Sequence, residues 1–94
     1  MNESVVYLPA RNAAYRKIGN EVVIVDTANN RMMTLNGSGT AIWMMLDGRS
    51  IREIVDAIVD SFLVERDRAI EDVYAFLSEM ESRGLVIARA SAEP

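Results

Sequence analysis

Glu21-Val-Val-Ile-Val-Asp26, Thr27-Ala-Asn-Asn30 and Arg31-Met-Met-Thr-Leu35, closing on Asn36-Gly37, form the stretch that decides the fold. Two runs rich in residues that favour strands flank a cluster of turn formers, which reads as two extended segments joined by a turn. Upstream, Tyr15-Arg-Lys-Ile18 meets the first run through Gly19-Asn20, a two-residue spacing that tight hairpins prefer. The three runs together predict an antiparallel meander. Residues 1–14 hold Pro9 and Asn12 with little periodicity and are expected to form an N-terminal arm that packs only in part.

Downstream of Asn36 the hydrophobic period changes from that of a strand to that of a helix. Gly37, Ser38 and Gly39 read as a loop or helix start, with Asn36 as cap, and Ala41, Ile42, Met45 and Leu46 share one helical face before Asp47-Gly48 ends it. Ser50-Ile-Arg-Glu53 has the spacing of a capping box, so a second helix is predicted to start there. Its apolar positions Ile51, Ile54, Val55, Ile58, Val59 and Phe62 form one stripe expected to face the core. A third helix opens near Asp67, carries Ile70, Val73, Tyr74, Leu77 and Met80 on one face, and stops at Arg83-Gly84. Leu85-Val-Ile87 is a candidate final strand, and residues 88–94 are read as a flexible tail. The prediction is one α+β domain over residues 15–87, a three-stranded antiparallel meander followed by three helices.

Composition narrows the function. The chain of 94 residues has no cysteine and no histidine, which removes thiolate and imidazole from catalysis and from metal ligation. Asp56 and Asp60 on the second helix, and Asp67, Glu71 and Asp72 on the third, are the carboxylates left for acid–base or metal chemistry. A solvated helical surface is the better reading of them. No catalytic residue, metal or cofactor is assigned. Asn36-Gly-Ser-Gly39 lacks the Lys-Ser/Thr of a phosphate loop and is read as structural. From Asp47 to Arg83 ten acidic residues stand against five basic, a balance of −5, which disfavours nucleic acid. No apolar run suits a membrane span and no signal peptide opens the chain, so a cytoplasmic location is expected.

Binding is therefore the leading class. The third run, Arg31 to Leu35, leaves an open edge to which an extended peptide can add a strand, with a groove between it and the third helix. Phe76 interrupts the polar side of that helix and is a candidate lining residue. Among the six methionines, Met33 and Met45 are expected to point inward, whereas Met32 and Met44 are harder to bury. Trp43 is read as a core anchor.

The order of these pieces resembles a family. Glu21-Val-Val-Ile-Val-Asp26, Met32-Met-Thr-Leu35-Asn36-Gly-Ser-Gly39-Thr-Ala-Ile-Trp43, Leu46-Asp-Gly48-Arg-Ser-Ile-Arg-Glu53-Ile, Asp72-Val-Tyr-Ala-Phe-Leu77 and Gly84-Leu-Val are similar to the PqqD family, over about residues 15 to 87. Its members serve pyrroloquinoline quinone (PQQ) biosynthesis and related pathways and are also called RiPP recognition elements. The resemblance implies a winged-helix-like fold that grips the leader segment of a ribosomally made precursor peptide as an added strand. It further implies delivery to a modifying enzyme, often a radical SAM protein, without catalysis by the chain itself. Family members commonly carry Pro where this chain has Gly37, and an aromatic residue near Met32 or Met33. On this basis the peptide-binding residues are expected to be Arg31, Met32, Met33, Thr34 and Leu35, faced by Asp72, Phe76 and Glu79. The acidic flank of the helix favours a basic leader. The competing readings are a winged-helix nucleic-acid binder and a homodimeric structural domain pairing through the same edge.

Overall fold

The computed structural model describes residues 3–89. The elements run β1 (Val6–Pro9), β2 (Ala13–Ile18), β3 (Glu21–Asp26), β4 (Arg31–Leu35), α1 (Gly37–Met44), α2 (Ile51–Phe62), α3 (Arg66–Ser82) and β5 (Val86–Arg89). The α+β reading holds: β2, β3 and β4 form an antiparallel sheet in that order, and three helices follow. Cross-strand partners share a face of a sheet, so the register sorts the side chains. Val22 opposite Leu35 and Ile24 opposite Met33 point to the helices, whereas Val23 opposite Thr34 and Val25 opposite Met32 point away. Tyr15, opposite Ile24, stands edge-on to Trp43 with ring centroids 5.4 Å apart.

Two expectations about the chain ends change. Residues 6–14, read as part of an arm, instead supply β1 and the start of β2, and Tyr7 is buried. Ala88 and Arg89, read as tail, belong to β5, which pairs antiparallel with β1 from Val6 opposite Arg89 to Pro9 opposite Val86. The rest of the expected tail, residues 90–94, lies outside the described residues. β1 is too short and too uniformly apolar to show alternation, and its partner strand is about eighty positions away, so no local pattern announces it. The segment before it supports α2 directly. The Ile51 N–H donates to the Val5 carbonyl and the Arg52 N–H to the Glu3 carbonyl, each at 3.0 Å, so two of the amide donors that a helix start leaves unpaired are satisfied.

A third such donor is satisfied by the capping box. The Glu53 N–H donates to Ser50 Oγ at 3.2 Å, and the Ser50 N–H donates to Glu53 Oε1 at 2.9 Å. From that start Ile51, Ile54, Val55 and Ile58 are buried against α3, whose Ala69, Val73, Leu77 and Met80 complete the seam. Phe62, expected in the same stripe, is 43% exposed. It is the last residue of α2, where the chain turns through Leu63 in the left-handed conformation, and no further turn of helix covers it. Trp43, Ile42 and Leu46 anchor α1 in the core as expected, Met33 and Met45 pack partly against it, and Met32 and Met44 stay exposed.

Asn36 occupies the N-cap position of α1 with extended backbone, yet its side chain makes no capping bond, contrary to expectation. Gly37, at φ 57°, sets the direction of the turn, and glycine adopts that conformation without steric penalty. Gly39 has a different role, since a side chain begun there would meet the ring of Phe76 at van der Waals contact.

Candidate functional site

Among the described residues β4 pairs on one side only, with β3, so its other edge is an open row of backbone donors and acceptors. Beside that edge lies an open cleft of about 480 Å³. Arg31, Met32 and Met33 line it from β4, Ile24 and Asp26 from β3, and Asn29 from the connecting loop. Across it stand Ser82 and Arg83 at the end of α3, followed by Leu85.

The end of α3 faces β4 across the cleft. Arg83 shares the cleft with Arg31, while Phe76, two turns earlier, meets Gly39, which also lies against Leu35 at the opposite end of the strand. Asp72, Phe76, Glu79 and Arg83 follow the i, i+4, i+7, i+11 series and so form one stripe along that helix.

The positions singled out from the sequence occupy both sides of this arrangement. Arg31, Met32 and Thr34 are exposed, Met32 at 71%, whereas Met33 is half-buried and Leu35 buried. On α3, Asp72 and Phe76 are half-buried and Glu79 is exposed. Only Arg31, Met32 and Met33 of the eight line the cleft itself. The acidic charges of the helix stripe are already matched within the helix. Asp72 pairs with Arg68 at 3.5 Å and Glu79 with Arg83 at 2.8 Å. Of the other carboxylates weighed for chemistry, Asp56 is paired with Arg66.

Sequence reasoning missed Ile24, Asp26, Asn29, Ser82, Arg83 and Leu85. The basic stop at Arg83-Gly84 was the available signal, because it fixes where the chain turns back towards the sheet. The turn itself has the double bond pattern of a Schellman ending: the Leu85 N–H donates to the Met80 carbonyl at 2.9 Å and the Gly84 N–H to the Glu81 carbonyl at 3.0 Å, with Gly84 at φ 73°.

Asp26 holds the near end of the cleft in shape. Its carboxylate accepts from the Asn12 amide at 2.8 Å, the Asn29 amide at 2.8 Å, and the Ala28 and Asn29 backbone N–H groups at 3.1 and 3.3 Å. The side-chain bonds from Asn29 and then Asn12 are the chief reasons that its pKa lies below the ordinary aspartate value, and the two backbone bonds add to them. Asn12 also donates weakly to the Gly84 carbonyl at 3.4 Å. The β3–β4 loop, the start of β2 and the end of α3 are thereby joined around one carboxylate.

Residues 21–86 match the family described as coenzyme PQQ synthesis protein D (PqqD). A solved structure described as TbiB1 in complex with the TbiA(beta) leader peptide has a TM-score of 0.83 and 27% identity, over 89% of this chain and 99% of that one. A second, lasso peptide synthetase B1 complexed with the leader peptide, has a TM-score of 0.79 and 20% identity over 86% and 96% of the two chains, a likeness of fold. No curated protein matches the chain at a significant level.

Proposed function

The chain belongs to the PqqD family, and from that premise we propose that it captures the leader segment of a ribosomally made precursor peptide and presents it to a modifying enzyme without itself catalysing a reaction. The single observation that carries the reading is the unpaired edge of β4 bordering an open cleft beneath the end of α3. A strand added there gains backbone hydrogen bonds from β4, while alternate side chains enter the cleft. The two structural neighbours, each described in complex with a leader peptide, support the same reading.

The contact set we propose is Arg31, Met32, Met33, Thr34 and Leu35 on the strand, with Asp72, Phe76 and Glu79 on the helix stripe and Arg83 extending it. The modifying enzyme follows from the family, with a radical SAM protein as the partner class first to be tried, and the setting is the cytoplasm. Nucleic-acid binding is not favoured: α3 carries Asp67, Glu71, Asp72, Glu79 and Glu81 against Arg66 and Arg68.

The test is a titration of isotope-labelled chain with the N-terminal segments of candidate precursor peptides, followed by backbone amide shifts. The expected shifts centre on residues 31–35 and 76–85. Shifts confined to β2, the other open edge of the sheet, or concentration-dependent dimerisation without peptide binding, would refute strand capture at β4.

A further inference from the structure

The cleft sorts its own surface by chemistry. Ile24, Met33 and Leu85 give it an apolar part, and Asp26, Arg31 and Arg83 give it a charged end. Asp26 is engaged by four donors from its own loop and from Asn12. Arg83 donates to Glu79 from Nε at 3.2 Å and from a terminal nitrogen at 2.8 Å. Arg31 differs, since among the described residues its guanidinium has no hydrogen-bond or ion-pair partner, and it is exposed at the cleft mouth. A guanidinium offers planar paired donors that match a carboxylate.

Strand register fixes where such a carboxylate would lie. Arg31 and Met33 are two residues apart on β4 and face the same side, as their partners Asp26 and Ile24 do. A peptide strand laid along β4 advances in the same steps of two. We propose that Arg31 is a specificity residue that selects an acidic side chain in the bound peptide, placed two positions from an apolar side chain that fills the cleft beside Met33. The spacing holds for either direction of the added strand. This inference rests on the strand-capture reading, and it reverses the sign of leader charge that the helix sequence suggests, because Asp72 and Glu79 are already paired with Arg68 and Arg83 whereas Arg31 is not paired among the described residues.

The experiment is selection of binders from a displayed library of random peptides on the full chain, with Arg31→Gln and Arg31→Glu alongside. Amide shifts then locate each selected peptide. The expected result is enrichment of an acidic residue two positions from an apolar one. Arg31→Gln should lose about three- to tenfold in affinity for those peptides, and selection on Arg31→Glu should enrich a basic residue at the acidic position. Peptides that shift the β4 amides with no acidic preference, and that bind all three proteins equally, would overturn the inference and leave strand capture standing. A selection whose peptides leave the β4 amides unmoved would overturn both. Circular dichroism of the two variants separates loss of binding from loss of fold.

Discussion

The ring of Phe76 on α3 closes over Gly39 on α1: a Cβ on Gly39 would lie 3.4 Å from Phe76 Cε1 and 3.8 Å from the Leu35 Cβ. Gly39 thus lies between one aromatic side chain of α3 and the end of the open strand.

A single methyl fits that space at ordinary van der Waals distance, and alanine is a better helix former than glycine by about 1 kcal/mol. Gly39→Ala is therefore expected to leave stability unchanged or raise it slightly. Gly39→Leu must displace the Phe76 ring and is expected to destabilise by about 1–3 kcal/mol. Urea unfolding of both variants, with peptide titration of the leucine variant, checks the pair; an equally stable Gly39→Leu with native affinity would contradict the contact.

Ser50 and Glu53 satisfy each other's amides at the start of α2. Ser50→Ala is expected to lower stability by about 1 kcal/mol, which for a domain of this size lowers the melting temperature by about 4–8 °C. Glu53→Ala should lower stability further in the Ser50→Ala background, because the backbone N–H of residue 50 remains there to donate to the Glu53 carboxylate. Thermal melts of the single and double variants read this directly.

The hydrogen bonds around Asp26 hold its pKa below the usual aspartate value in the fold. The ionised form is the one the folded chain stabilises. Its contribution is present above the unfolded pKa of about 4 and is lost as pH falls through the lower folded value. Asp26→Asn is expected to be less stable than the parent at neutral pH, with the difference shrinking in acid. Melting curves from neutral pH to strong acid provide the comparison; a gap that stays constant would mean that the charge of Asp26 is irrelevant.

Leu63 ends α2 at φ 53° with its side chain 89% exposed. A leucine there pays for a left-handed backbone, by about 1 kcal/mol, and gains almost no burial in return. Leu63→Gly is expected to be neutral to slightly stabilising despite the greater freedom glycine has in the unfolded chain. A marked loss of stability would reveal packing that the exposure does not suggest.

The meander and the start of α2 were legible in the sequence because their signals are local. Gly19-Asn20 lies between two strand runs, and Ser50 and Glu53 are three residues apart, so each device announces itself within a few positions. Of the β1–β5 pair, β5 was legible in part as the run Leu85-Val-Ile87, but β1 and the pairing that sets Tyr7 opposite Ala88 were not, since β1 does not alternate long enough to read. The candidate site shows the same division. The open strand Arg31–Leu35 and the aromatic break at Phe76 could be found by pattern. That Arg83 and not Asp72 stands across from Arg31 depends on the direction in which α3 crosses the sheet, which no spacing within the helix encodes. A count of the helix charges likewise does not show that Asp72 and Glu79 find their partners one turn away.

The pairing of Val6 with Arg89 brings the first and last described strands side by side. Topologically the fold is close to a closed ring, and a ring has no preferred place to be cut. A short linker joining those strands, with new ends opened at the exposed Asp47-Gly48 turn, should return the same molecule, and for the same reason the whole unit can be set into a loop of another protein without spreading its ends.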